Sequence, residues 1–397
     1  MLKVAIVGCG KIADAHASQI QRIPGCEIVG VCDREMLMAE QLYERFPVKR
    51  CFIDLPELIT EAQPDVVHIT TPPESHFEIA RFCLEHGRHV YVEKPFTLNA
   101  EEAAQLVSLA TEKRLKLTVG HNNQFSHVAR RLRELVDAGY LGGTPIHMES
   151  YYGYDLSDPS YARALLTDSR HWVRRLPGQL LQNIISHGIA RIAEFLSSDN
   201  PQVIAQGFVS PVLKRIGETS IVDELRVIIR DEDRTTAYFT FSSQMRPAVH
   251  EFRVYGPKNG LFLDQNHEIV LRLRGAKFKS YADHFVPPVL FAKQHLKNLF
   301  ENVTLFLRRD FQMDAGMKYL IESFYRSIRS EAPLPIPYRE IVLTARIMDA
   351  IFDQLRSTRS IGDCDDRMDS VALATMPARH GEPHRTNAPK ESSNAIG

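Results

Sequence analysis

The strongest restriction on the fold is a rhythm in the first 120 residues. Short β-branched runs at 4–7, 27–32, 65–69, 89–92 and 116–119 alternate with helix-length segments such as 74–86 and 100–114. Parallel strands need a crossover long enough to hold a helix, so this alternation predicts βαβ units in a doubly wound parallel sheet. The strand runs are almost continuously apolar, as expected when helices cover both faces.

After residue 121 the rhythm changes. A helical stretch at 126–137 precedes an extended segment at 145–154 and a helical run at 181–196. Strands then follow at 205–210, 225–230, 235–242, 250–255, 261–263 and 269–273. The turns RDEDR and GPKNG between them predict an antiparallel meander in one large open sheet. Helical periodicity returns at 288–308, 313–329 and 338–355, the last after the proline-rich break EAPLPIP, and these helices are expected to cover one sheet face and the domain junction. A chain of 397 residues exceeds what one core organises. The divisions fall at 1–121 (α/β, parallel doubly wound), 122–356 (α+β, mainly antiparallel open sheet) and 357–397, a polar tail expected to be disordered.

With 48 basic and 49 acidic side chains there is no basic surplus for a nucleic-acid partner. No stretch approaches the ~20 apolar residues of a membrane span. The opening MLKVAIVGCG reads as a buried strand entering a glycine turn and not as an export signal, so a cytoplasmic location is expected. The six cysteines show no CxxC or His-Cys clustering, which argues against a zinc site or a disulfide framework.

The segment VAIVGCGKIADAH sets Gly8, Gly10 and Ala13 in a GxGxxA pattern between a strand and a helix, with Lys11 and Ile12 opening that helix. This is the dinucleotide turn of a Rossmann domain: Gly8 permits the turn, Gly10 lets a pyrophosphate approach, and the helix N-terminus supplies N–H groups. Asp33 ends the second strand, about 20 residues on, where a carboxylate accepts from the adenosine ribose and repels a 2′-phosphate. NAD is therefore expected over NADP, with Arg34 next door as the one residue that favours the phosphate. The competing role for Asp33 is a helix cap.

Three segments in order, GCGKIADAH, TTPPESH (70–76) and EKPFTLN (93–99), resemble the glucose-fructose oxidoreductase / inositol dehydrogenase / MocA (Gfo/Idh/MocA) family, and the likeness runs over residues 1 to 356. In physical terms TTPPESH and EKP both leave the carboxyl ends of strands and line one crevice. Thr71, Pro72, His76 and Glu93 are its cofactor-side candidates. The resemblance implies that Lys94 of EKP orients the substrate and assists proton transfer. It also implies a base, His187, in LPGQLLQNIISHGIARIAEFL. Asn183 stands where the family has an aspartate one helical turn earlier, and an amide orients a histidine without supplying charge. The family's glycine-rich lead-in is thinned to Gly178-Gln179-Leu180. His187 could otherwise be a packed core residue.

Trp172, in SRHWVRRLPG, is expected to reach back to the cofactor or else simply to pack, and Arg170 stands near the crevice. In GHNNQF, Asn122 meets the nicotinamide side, while Gln124 replaces the family's usual cation beside the substrate. His16, His68 and His250 read as structural. These residues imply an NAD-dependent oxidoreductase of a sugar, nucleotide sugar or polyol, no metal, and a homo-oligomer (dimer or tetramer) formed through the open sheet face. Two alternatives stay open: a redox-neutral lyase, hydrolase or epimerase that recycles its hydride, and a non-catalytic dinucleotide-binding regulator.

Overall fold

The computed structural model describes residues 1–156, 165–166, 168, 170–232, 235–311 and 315–374. Residues Met1–Leu355 form one compact unit, which carries both sheets, and Arg356–Gly397 a second. The tail expected from 357 onward lies in the second unit, and its residues from 375 on are outside those described. No helix among the described residues is long and apolar enough to cross a membrane.

Strands β1 (Leu2–Val7), β2 (Cys26–Cys32), β3 (Cys51–Phe52), β4 (Val66–Ile69), β5 (His89–Val92) and β6 (Leu117–Val119) pair in parallel, in the order β3-β2-β1-β4-β5-β6. Helices α1 (Lys11–Ile20), α2 (Met36–Arg45), α3 (Leu55–Glu61), α4 (His76–Glu85) and α5 (Ala100–Glu112) connect them. Asp54 and Asn99 start α3 and α5 by accepting from the Glu57 and Glu102 amides, donors that a helix cannot satisfy itself. Strand β3 has only two residues, too few to register as an apolar run.

The second half contains α6 (His127–Asp137), β7 (His147–Gly153), α7 (Gln179–Ile184), α8 (Ser186–Ala193), β8 (Gln202–Phe208), α9 (Pro211–Arg215), β9 (Glu224–Asp231), β10 (Thr235–Ser242), β11 (His250–Tyr255), β12 (Asn259–Asp264) and β13 (Ile269–Arg274). Its sheet runs β13-β12-β11-β7-β10-β9-β8. The expected meander is thus interrupted: β7 inserts between β10 and β11, parallel to the first and antiparallel to the second. The connection 243–249 lacks a two-residue turn and is long enough to step over a strand. The single helix expected at 181–196 is two, broken at Ile185. Gly188 in α8 lies so close to the sheet that a Cβ would stand 2.4 Å from the Phe239 ring.

Three helices close the chain: α10 (Ala282–Leu307), α11 (Ala315–Ser330) and α12 (Tyr338–Ala374). Helix α10 starts before its expected position and carries Pro287 and Pro288 inside it. Helix α11 does not cover the second sheet. Its Met317, Leu320, Ile321, Phe324 and Tyr325 are buried in the core of the first. Helix α12 contributes Ile341 to that core and Leu343, Ile347, Ile351 and Phe352 to the other, which seals the junction between the two sheets.

Candidate active site

In a sheet of this order the crevice opens between β1 and β4, where the winding reverses. Gly8 turns there at φ +94, and a Cβ would stand 2.7 Å from the Thr71 nitrogen. No L side chain fits that turn. A Cβ on Gly10 would meet nothing within 4 Å, so open space lies above the start of α1, where Lys11 and Ile12 are exposed. Asp33 Oδ2 accepts from the Cys9 amide at 2.7 Å and Oδ1 from the Glu35 amide at 3.0 Å. Each oxygen retains acceptor capacity for hydroxyl donors, and Arg34 beside it is exposed. Asp33 thus ties two loops together and still offers a carboxylate to the crevice.

Ser75 holds Thr71 through a 2.8 Å hydroxyl contact, and the neighbouring Pro72 is exposed at the crevice rim. Two residues expected on the cofactor side lie beneath it instead. His76 is buried with Nδ1 2.9 Å from the Pro95 carbonyl and Nε2 2.9 Å from the Thr71 carbonyl, so it braces the β4 loop against the β5 loop. Glu93 is also buried: Oε1 meets His16 Nε2 at 2.8 Å, and Oε2 accepts from the Lys94 amide at 3.1 Å.

Behind Glu93 a chain of contacts joins histidines that, in sequence, look like separate structural residues. His16 Nδ1 lies 2.8 Å from His68 Nδ1, and His68 Nε2 lies 2.8 Å from the Tyr325 hydroxyl. One proton order uses every donor: Tyr325 gives to His68, His68 to His16, and His16 to the Glu93 carboxylate. Burial raises the Glu93 pKa, but the hydrogen bond and charge of His16, with Lys94, outweigh it and hold the carboxyl below its ordinary 4.5.

Lys94 donates from Nζ to the Asn183 carbonyl at 2.8 Å, at the C-terminal end of α7, where a cation is favoured. Burial lowers its pKa from 10.5 while Glu93 acts in the opposite sense. Gln182 Nε2 donates to the Leu98 carbonyl at 2.9 Å, a second tie from α7 to the EKPFTLN loop. The lead-in to α7 bears the mark of its thinned glycines, since Gln179 adopts φ +47, a region that favours glycine.

His187 opens α8 beside this junction. Its ring stands 5.9 Å from that of His121 and stacks on Tyr152 at 6.5 Å. Nδ1 is buried with no hydrogen-bond partner among the described residues. Burial first, then the charges of Lys94, His121, His250 and Arg191, push its pKa well below 6.5. A pKa near neutrality, as expected of a base with an acidic neighbour, is therefore not what the environment provides. Burial, with Lys94 and Arg191 nearby, favours its uncharged ring, and no carboxylate pairs with it among the described residues. His121, the one histidine of GHNNQF and given no role from the sequence, is also buried and is pushed down to about 4 by burial. Its only signal in the sequence is its place after β6.

The remaining candidates divide. Asn122 lines a cleft of about 1380 Å³ together with Asn123, Tyr152, His250 and Gln265. A smaller recess of about 240 Å³ shares the last four and adds His187 and Arg191. Arg191 donates to the Asn123 carbonyl at 2.7 Å and to Gln265 Oε1 at 3.0 Å, and burial lowers its pKa to about 10. Gln124 faces away from that recess. It is buried with Nε2 3.3 Å from the Ala190 carbonyl and 3.2 Å from Glu194, so the expected substrate contact becomes a brace under α8. Trp172 is half-buried and stacks on His171 at 5.7 Å, while Arg175 on the same turn pairs with Glu74 at 3.2 Å and so places that turn beside the β4 loop. Arg170 is exposed at the start of the turn.

Residues 2–121 match the model of an oxidoreductase family with an NAD-binding Rossmann fold, GFO_IDH_MocA. Myo-inositol 2-dehydrogenase of Thermotoga maritima is 22% identical over 76% of this chain and 88% of its own. Residues 2–121 therefore carry the NAD-binding Rossmann domain of the Gfo/Idh/MocA oxidoreductase family. D-glucoside 3-dehydrogenase of Escherichia coli is 33% identical, over 36% of this chain, and the match spans 40% of that relative's length. The solved WlbA dehydrogenase of Bordetella pertussis, in complex with NADH and UDP-GlcNAcA, shares the fold with a TM-score of 0.71 at 17% identity over 90% of this chain and 96% of its own.

NAD is the cofactor of the family's Rossmann domain, and the residues here fit it. The open approach to Gly10, the exposed start of α1 and the acceptor capacity of Asp33 are what a pyrophosphate and a ribose require.

Proposed function

We propose that this Gfo/Idh/MocA member moves a hydride between NAD and a secondary hydroxyl of a sugar, nucleotide sugar or polyol. In this reading residues 1–121 hold the cofactor and 122–356 the substrate. The observation that carries it is the meeting of Lys94 with the α7–α8 junction: an ammonium fixed on the Asn183 carbonyl, beside a neutral His187 whose Nδ1 is unpaired among the described residues. Bound NAD supplies the hydride acceptor. The protein's own part is to orient the hydroxyl oxygen with the remaining Lys94 hydrogens and to take its proton at His187 Nδ1. Asn122, Asn123, Gln265 and Arg191 line the adjoining recess with the donors and acceptors that a polyhydroxylated ligand needs.

The cofactor preference has its own test. NADH is expected to bind at least about tenfold more tightly than NADPH, the worth of one charged hydrogen-bonding group. Quenching of Trp172, the single tryptophan, in a titration with each cofactor reads this directly. Tighter NADPH binding would assign the pocket to Arg34 and remove Asp33 from it.

A second reading is favoured by one observation: among the described residues no carboxylate pairs with His187. With no charge to stabilise an imidazolium, a reaction that returns the hydride and leaves the nicotinamide unchanged suits the site as well. Product formation at constant nicotinamide absorbance distinguishes it.

A further inference from the structure

Helix α10 is built inside out. Its polar side chains face the protein. Gln294 accepts from the Arg272 amide at 2.8 Å and donates to the Arg272 carbonyl at 3.3 Å, and Asn298 makes both contacts with Val270 at 3.1 Å. Strand β13 is the edge of its sheet, and these two amides, four residues apart on the helix, satisfy alternate residues of that edge as a further strand would. Four helical residues rise ~6 Å and two strand residues ~6.8 Å, so the spacings match. Glu301 pairs with Arg131 on the same inner side.

The opposite face is apolar. Val289, Leu296, Leu299, Val303 and Phe306 are between 45% and 68% exposed, with Ala292 between them and Phe285, Phe300 and Leu307 alongside. The spacing of 289, 292, 296, 299, 303 and 306 alternates three and four, the a/d repeat of a helix that pairs with another helix. Gln294 and Glu301 occupy the position opposite that seam, which is why they reach the sheet.

We propose that this seam pairs with the same helix of a second copy of the chain, antiparallel about a two-fold axis. The repeat is self-complementary in that direction. Val289 meets the partner's Phe306, Ala292 the partner's Val303, and Leu296 the partner's Leu299, so each layer recurs across the axis, as an isologous interface requires. Lys293 then lies beside the partner's Phe300 and His295 beside the partner's Asn302, so no like charges meet. Side chains of roughly 100–200 Å², half to three-quarters exposed, offer on the order of 800 Å² per copy, one side of a standard stable interface. The pairing does not depend on the proposed chemistry.

The test uses the full chain. Light scattering is expected to give a mass that falls twofold at micromolar concentration in Leu296→Glu/Leu299→Glu, with Trp172 quenching by NADH unchanged as the control for folding. Ala292→Cys/Val303→Cys is expected to form a covalent dimer on oxidation under conditions where the wild type does not. A mass indifferent to the glutamates, together with no covalent dimer, overturns the proposal. So does a wild type that is monomeric in buffer and floats with anionic vesicles, which would assign the stripe to a lipid surface.

Discussion

Lys94→Ala is expected to lower kcat/KM for the hydroxyl substrate by a factor of about 10³ to 10⁴, the upper part of the range for a positioned proton-transfer group. The Kd for NADH is expected to change little. The reason is geometric. Lys94 is tied to Asn183 and flanked by Glu93, so its ammonium is fixed where the cofactor loop meets α7, the helix that leads into the one carrying His187. The glycine turn and Asp33, which serve the other end of the dinucleotide, are untouched by the change. Lys94→Arg is the control: it keeps the charge and cannot reproduce the point contact, so it is expected to keep cofactor affinity and to recover little turnover. Turnover within threefold of wild type in Lys94→Ala would remove this residue from the chemistry. An equal loss of NADH binding would make it a cofactor clamp.

Glu93→Ala is expected to destabilise the fold by about 3 kcal/mol or more, the cost of leaving one partner of a buried charged contact alone. The carboxylate is the acceptor at the end of the chain Tyr325–His68–His16, and removing it leaves the His16 Nε2 proton without a partner inside the core. Urea unfolding at pH 7 measures the loss. Its pH dependence has a definite sign. The folded pKa of Glu93 lies below 4.5, so its contribution is fully present above that value and is lost as the pH falls through the folded pKa. The gap between wild type and variant should therefore narrow as the pH falls from 4.5 through the folded pKa. A constant gap down to acid unfolding would mean that the loss is one of packing alone. Tyr325→Phe, which removes only the far donor, is expected to cost about 1 kcal/mol.

The first sheet could be read from the sequence because its signals are local. Apolar strand runs, a glycine turn and helix-length spacers each occupy a few consecutive residues, and only the two-residue β3 escaped. The second sheet could be read as strands but not as an order, because nothing in residues 147–153 says which neighbours they will take. Helix α11 was visible as a helix, yet its burial against α1 depends on a return of the chain that no local pattern encodes. Among the candidate site residues, those on strand-end loops could be placed by topology: Gly8, Gly10, Asp33, Thr71, Lys94 and Asn122 all follow the carboxyl ends of strands of the first sheet. The residues that differed were those whose side-chain direction depends on a neighbour. Glu93, His76 and Gln124 turn inward because His16, Pro95 and Glu194 are there to receive them. His121 and Arg191 stand inside quoted segments yet were given no role, because a buried histidine and a buried arginine look in sequence like any other.

The most direct test of the proposed hydride transfer is to mix the purified chain and NAD with pools of polyols, free sugars and nucleotide sugars, and to follow the reduced-nicotinamide absorbance while chromatography follows each pool. The absorbance is expected to rise in one pool, and the rise to disappear in Lys94→Ala. A changed sugar at constant absorbance would contradict net hydride transfer and establish internal recycling. Bound NAD with every pool unchanged would contradict the proposed activity on this class of hydroxyl.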